Sequence, residues 1–526
     1  MKADKVKKTA AALIFALIVT ALDLFVHWES IAASHGAALI TALAIGILCF
    51  FRPLSERAKN SGNRYFHDLF SAFEWKIGDR IFFAAVFVTF VILYLPAYLA
   101  LFPGTLGYDT PIQLAMFFGE QPMTAGNPVA HTLLLGALVK LGLLVYGRAQ
   151  AGFALYILIQ FGVVAFAVAD SFLFLKRRRT PVLPMILGFL WIALSSEMKA
   201  LTFNATKDIL FGAFLLIFMV SLADYLISSE TEHNKSKTIG LFVAAFLICL
   251  FRNPCVIILL ILCVACAVFR VKKKGLYIAL LSAVCASLIF SKICSAVFSI
   301  EPAGRTVPAF VPAQQLGLTA SYAADPATET SVNLTEEELA QICELIPEQV
   351  VRGERHEFSA DTYFATFREE RYKENPAFYN GLWLKIGMKN KGIYFHAYRN
   401  LVKPYFDAAY NPYRELVFDY SFPELDHRGI ERRSFYPSLY ERLYSDVVEK
   451  DRYFFVFQPG FGIFLGILLI IDALLRKRWR MFLSIFPLIV YFAGWLIGPV
   501  ALLRYLYPLM ISIPFLFGLI FQPVEE

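Results

Sequence analysis

The chain is built on apolar runs long enough to cross a lipid bilayer, and that feature restricts its fold more than any motif it carries. Inside hydrocarbon, every backbone N–H and C=O must find its partner within the protein, so separate runs of about 20 apolar residues fold as a bundle of membrane helices. Several runs reach that length, and twelve spans are expected, at approximately 9–27, 31–51, 80–101, 151–174, 181–196, 207–227, 238–251, 254–270, 275–298, 452–475, 480–499 and 503–521, those at 238–251 and 254–270 being short. A balance of 58% hydrophobic to 17% charged residues excludes an ordinary soluble domain. The N-terminal MKADKVKK and its apolar run resemble a signal peptide, but a second run follows without a cleavage motif, so a retained first span is expected.

Basic clusters orient the bundle. Lys2 to Lys8, Arg52 to Arg80, Lys176 to Arg179, Arg270 to Lys274 and Arg476 to Arg480 all fall on one side if both termini are cytoplasmic, as the positive-inside rule requires. The apolar segment Pro128 to Tyr146 would invert the KRRR cluster if it were a span, so a helix on or dipping into the outer membrane face is expected there. Three regions follow: an N-terminal transmembrane module (1–298) with an outer loop at 102–150, an extracytoplasmic, mainly helical domain (299–451), and a C-terminal transmembrane module (452–526). Acidic residues outnumber basic ones in the inserted domain, so the net charge of +7 belongs to the rest of the chain and gives no reason to expect nucleic acid. Of eight cysteines, seven lie in apolar runs, and the Cys263/Cys266 pair reads as packing rather than metal or redox chemistry.

The stretch PGTLGYDTPIQ places a carboxylate, Asp109, at the mouth of a membrane helix. Thr110, Pro111 and Gln113 fit the N-cap, first position and capping-box partner of a helix ended by Gly119, which would leave Asp109 free of capping duty. A second helix starting at Asn127-Pro128 would bring His131 near it, so Asp109, Gln113, Glu120 and His131 share one region. Further polar residues occur where charge is costly: Lys207 and Asp208, Arg252 and Asn253 at a break between two short spans, and Arg504 and Tyr505 opening the last span. Cations beside a carboxylate at the membrane suit a phosphate-bearing lipid. Motifs for nucleotide hydrolysis, zinc proteolysis and serine hydrolysis are missing, as is Asp-x-Asp, so a cytoplasmic nucleotide-sugar enzyme has no support.

Taken in order, PGTLGYDTPIQ, NPVAHTLLLGALVKLG, TKDILFG, LFRNP, VPAQQLG, WLKIGMKNKGIYFHAYRNLVKPY and RYLYPLM resemble the landmarks of a family of bacterial polytopic membrane proteins. That family is similar to the GT-C superfamily of glycosyltransferases, which includes protein mannosyltransferases and the lipid A aminoarabinose transferase. The resemblance implies a GT-C-like bundle with membrane-surface helices in the first outer loop, and transfer of a sugar from a polyprenyl-phosphate donor to a glycan, lipid or protein acceptor. It implies Asp109 as the functional acid, expected to act as the general base, and places the Lys207, Arg252 and Arg504 neighbourhoods near the active cavity; Gln113, Glu120, His131, Asn253, Gln314 and Tyr505 complete the set expected about the substrate. No resident cofactor is expected; the sequence leaves metal dependence open. The chain departs from the pattern at Gly126-Asn127-Pro128, where relatives carry two histidines before the proline, and at Thr110, where many carry a second acid. A transporter or lipid flippase, and a polysaccharide polymerase or ligase of another membrane fold, are the competing expectations.

Overall fold

A computed structural model describes residues 14–19, 21–22, 73–228, 235–302, 309–325, 327–406, 417–418, 428–449, 460–475 and 477–522. Helix α1 (Asp79–Ala100) leads into strand β1 (Thr105–Leu106), a short helix α2 (Thr110–Phe117), α3 (Val129–Tyr146) and α4 (Ala149–Arg177). Next come α5 (Val182–Leu194) and α6 (Ser196–Thr202), one apolar stretch bent by 63° at Ser195, and strand β2 (Asn204–Ala205). Four helices complete the first part: α7 (Lys207–Ile227), α8 (Lys235–Phe251), α9 (Cys255–Val268) and α10 (Lys274–Phe298). The inserted domain contains α11 (Phe310–Ala324), α12 (Glu336–Leu345), α13 (Glu348–Val351), α14 (Asp361–Ala365), α15 (Glu369–Glu374), α16 (Pro376–Lys389), α17 (Lys391–Phe406) and α18 (Pro437–Val448). Helices α19 (Phe461–Leu475) and α20 (Trp479–Trp495) return to apolar sequence, and a 3₁₀ turn (Leu503–Leu506) runs into α21 (Tyr507–Ile520).

The protein is therefore a mainly helical membrane protein. Among the described residues six helices are long and apolar enough to cross a membrane, namely α1, α3, α4, α7, α10 and the 3₁₀ turn with α21, and the bent α5–α6 pair would make a seventh. Helices α9, α19 and α20 are apolar but shorter. Of the expected run at 9–27 residues 14–19 and 21–22 are described, and they are helical; the run at 31–51 lies outside the described residues. Helices α8 and α9 meet at Arg252-Asn253-Pro254, because a proline and two polar residues end the apolar run there. Helix α3, the segment expected as a helix on or dipping into the outer membrane face, is long and apolar enough to cross a membrane and packs along α4. Glycines permit that approach, since a Cβ on Gly142 would lie 2.2 Å from the Gly152 nitrogen.

Helices α7 and α21 form the centre of the bundle and are its most buried spans. They contact each other and the surrounding α4, α8, α5, α19 and α20. At their starts the packing depends on Gly212, where a Cβ would lie 2.8 Å from the Tyr507 ring and 3.2 Å from Pro508 Cα. The inserted domain has its own core, in which Leu316, Ile342, Leu345, Tyr363, Leu382 and Ile386 are buried together. Its α12 begins with a capping box: Thr335 Oγ1 accepts from the Glu338 N–H, and Glu338 accepts from the Thr335 N–H.

Candidate functional site

Residues almost a hundred positions apart meet where the chain leaves α1 and enters α7. Strand β1 pairs in parallel with β2, Thr105 opposite Asn204 and Leu106 opposite Ala205. The glycines of PGTLG allow this contact: Gly104 has φ +129°, and a Cβ on Gly107 would lie 2.9 Å from the Ala205 carbonyl. Asn204 Nδ2 donates to Thr105 Oγ1 at 2.8 Å, and the Thr110 hydroxyl donates to the Ala205 carbonyl. This clip brings Asp109 to Lys207.

The start of α2 is built differently from the sequence expectation. Asp109 holds the N-cap position and Thr110 is the first helical residue, so neither Thr110 nor Gln113 makes the expected capping box. The Asp109 side chain nevertheless makes no capping bond. Its carboxylate instead meets Lys207 Nζ at 2.9 Å and Arg504 Nη2 at 3.2 Å. Lys207 Nζ also donates to Asn127 Oδ1. Burial works to raise the Asp109 pKa, but Arg504, Lys207 and the more remote Arg252 outweigh it and hold the carboxyl well below the usual carboxylate range.

A second aspartate completes the cluster. Asp208, fully buried in the first turn of α7, binds Arg252 Nη1 and lies 3.6 Å from Arg504 Nε; Thr206 Oγ1 donates to it at 3.3 Å. The Arg252 guanidinium sits over Trp495 at 4.6 Å, with Tyr491, Tyr505 and Phe211 also within 6 Å, an aromatic box that suits a delocalised cation. Trp495 and Tyr505 stack on each other with centroids 3.5 Å apart. Arg504 is 9% exposed, yet its Nε and Nη1 have no hydrogen-bond partner among the described residues. Buried donors left open in this way are costly unless a ligand or water takes them. A narrow cleft lined by Gly107, Tyr108, Asn204, Val417, Leu502 and Arg504 reaches the cluster.

The remaining expected residues lie around this centre in different relations to it. Gln113 and His131 are fully buried; His131 Nδ1 is 3.0 Å from Gln113 Oε1, and its Nε2 is 2.7 Å from the Tyr156 hydroxyl. Tyr156 donates to Gln160, which donates to the Thr202 and Asn204 carbonyls. With both ring nitrogens engaged, His131 acts as one link in a polar chain that ties α2, α3 and α4 to β2. Glu120 pairs with Arg428, and Asn253 Nδ2 donates to the Ala125 carbonyl at 2.9 Å. Gln314 lies in the inserted domain, donating to the Glu357 carbonyl at 2.7 Å, with its Oε1 buried and unpartnered. Among the described residues no three His, Cys, Asp or Glu side chains converge as metal ligands do.

Sequence reasoning noted Asp208 as a costly charge without placing it in the site, and it passed over Asp361. Asp208 reads as a helix-capping residue, and only its contact with Arg252 reveals it as a hub. Asp361 belongs to the inserted domain and carries no local signal, yet Arg504 and Asp109 both act on its charge.

Residues 120–522 match the model of a family of unknown function, DUF6020. The chain belongs to that family. The matched stretch begins after Asp109 and contains Lys207, Asp208, Arg252, Asp361 and Arg504. No curated protein and no solved structure matches the chain.

Proposed function

We propose that this DUF6020 chain is a membrane glycosyltransferase that moves a sugar from a polyprenyl-phosphate donor to an acceptor on the extracytoplasmic face. One observation carries the reading: three cations and two aspartates are packed at the starts of the two most buried helices, and among the described residues Arg504 Nε and Nη1 have no hydrogen-bond partner. Helix N-termini and guanidinium donors together form a site for an anion, and a phosphate leaving group needs stabilisation of that kind as the bond to the sugar breaks. Asp109 balances Lys207 and Arg504 so that both can remain charged away from bulk water.

Charge supports that side of the membrane. Lys176 and Arg177 bind Asp79 at the start of α1, and Arg178 binds Asp224 near the end of α7. That end lies about 30 Å from Lys207 at 1.5 Å per residue, so a cytoplasmic KRRR cluster favours an extracytoplasmic Asp109.

Purified protein in liposomes, supplied with a panel of polyprenyl-phosphate hexoses and a cell-envelope extract as acceptor, tests the proposal. Wild type should release free polyprenyl phosphate, and Arg504→Gln should slow release by at least about 10²-fold. Donors that stay intact while labelled lipid crosses the bilayer faster than in empty vesicles would replace this reading with a flippase. Sensitivity confined to the inserted domain, with Asp109 and Arg504 silent, would favour a polymerase or ligase.

A further inference from the structure

The proposed transfer needs a group that accepts a proton from the attacking hydroxyl. Asp109 is badly placed for that work as the protein stands: two cations occupy its carboxylate, and a base with so depressed a pKa has little affinity for a proton at neutral pH. A different carboxylate reaches the same cluster from the inserted domain. Ser359 forms a bridge with Val500, and the Ala360 N–H donates to the Pro499 carbonyl at 2.7 Å, so the chain is pinned beside the segment that leads into Arg504. From the other side Tyr363 is locked into the core of the inserted domain. Its ring lies against Gly317 of α11, where a Cβ would come within 2.3 Å of it, and its hydroxyl is 3.3 Å from Ser321 Oγ.

Asp361 stands between these two anchors. Its side chain is exposed, and among the described residues its carboxylate makes no ion pair or hydrogen bond, although it lies close enough to Arg504 and Asp109 to feel both charges. We propose that Asp361 is the proton acceptor of the transfer reaction, while Asp109 serves as the permanent anion that holds Lys207 and Arg504. This rests on the transferase reading above. The acceptor oxygen would form its bond to the anomeric carbon as its proton passes to Asp361. The bond from that carbon to the phosphate oxygen breaks, its electron pair stays on the phosphate beside Arg504, and Asp361 later returns the proton to water. The two acids divide the labour as acid–base pairs do, because their surroundings push them in opposite directions. Although Asp361 is still open to solvent, the protein packed around it removes enough water to raise its pKa; Arg504 opposes that shift and Asp109 adds to it.

The bland role for Asp361 is as an acid in the first turn of α14, where it favours the helix N-terminus. Two measurements separate the roles. Labelling with dicyclohexylcarbodiimide, which attacks protonated carboxyls, is followed by peptide mass spectrometry across mildly acidic to neutral pH. Asp361 should label and Asp109 should not, and Arg504→Gln should carry Asp361 labelling to higher pH. Asp361 unlabelled throughout, or labelled no faster than Asp109, overturns the proposal. In the liposome assay, Asp361→Asn should lower kcat about 10² to 10⁴-fold with little change in donor KM and abolish the acid limb of the pH profile. Asp361→Glu should recover part of the rate with a displaced limb, and Asp109→Asn should raise donor KM and keep the limb. An Asp361→Asn enzyme with wild-type kcat, or one that retains the limb, refutes the assignment. If wild type transfers no sugar at all, the transferase reading fails, and the labelling still decides whether Asp361 holds the proton.

Discussion

Arg252 and Arg371 are both held by carboxylates, and almost everything else about them differs. Arg252 lies in an aromatic box with its side chain 12% exposed, bound to an Asp208 that is fully buried. Arg371 lies on the surface of the inserted domain, bridging Glu344 and Glu374, with itself 48% and Glu344 39% exposed. The buried pair has given up its hydration and depends on its partner; the surface pair can exchange its partner for water at little cost. The contrast identifies which charges the fold keeps for a reason other than solubility. A membrane bundle that placed Asp208 and Arg252 in its interior only for stability would do as well with two apolar residues.

The largest expected effect follows from breaking the buried pair on one side. Asp208→Asn leaves Arg252 uncompensated and should cost about 3 to 5 kcal/mol, read as a lower midpoint of thermal unfolding in detergent. The double variant Asp208→Leu with Arg252→Met should recover most of that loss while transfer activity stays absent. A double variant as unstable as the single one would show that the pair contributes more than charge balance.

Next comes Asp109, which is 21% exposed and shares its two cations with Asp208 and Asn127. Asp109→Asn should therefore destabilise by less, about 1 to 3 kcal/mol. The sign of its pH dependence follows from its depressed pKa. The stabilisation is complete above the ordinary carboxylate pKa and is lost as pH falls below it. Acid titration of the unfolding midpoint should show a loss in wild type that is smaller in Asp109→Asn.

This difference between regions also explains what could be read without coordinates. Lys207, Arg252 and Arg504 are each conspicuous as a charge in an apolar run, and α1, α4, α7, α10 and α21 begin and end within a few residues of the runs at 80–101, 151–174, 207–227, 275–298 and 503–521. Hydrocarbon imposes both signals, so they are written locally. In water no such rule holds: Asp361 is one acid among many in the inserted domain, and only the pairing of Ser359 with Val500, about 140 residues later in sequence, brings it to Arg504. Thr110 misled for a local reason. The capping-box pattern fits TPIQ, but the Ala205 carbonyl takes the Thr110 hydroxyl, and Gln113 is taken by His131 and Thr132.

A smaller effect is expected at Glu338, which combines both kinds of environment. Its side chain is buried, but Lys385 and Lys389 reach it from the surface at 3.0 and 2.7 Å. The hydrogen bond from Lys389 comes first and the Thr335 N–H second in holding its pKa down at about 2, against a usual 4.5. A depressed carboxyl stabilises above its unfolded pKa and loses that contribution as pH falls, here from about 4.5 toward 2. Glu338→Gln keeps an acceptor for the Thr335 N–H but gives up the two lysines, so it should cost about 1 kcal/mol at neutral pH and flatten the acid loss in the inserted domain.

The smallest effect is expected at Arg371, and it is the sharpest check on the comparison. Arg371→Gln removes a side chain that contacts two carboxylates, as Arg252 also loses a carboxylate partner in Asp208→Asn, so a count of ion pairs would rank the two changes together. Solvent separates them. Glu344 keeps its hydrogen bond from Tyr379 at 2.6 Å, and both freed carboxylates remain hydrated. The unfolding midpoint of Arg371→Gln should lie close to wild type, and whatever shift remains should vanish at high salt, where the Debye length falls to about 3 Å at 1 M. The Asp208→Asn loss should persist in the same salt, because no ions reach Arg252 behind Trp495 and Tyr505. A loss at Arg371 that matched Asp208→Asn and resisted salt would break the distinction on which the reading of the buried cluster depends.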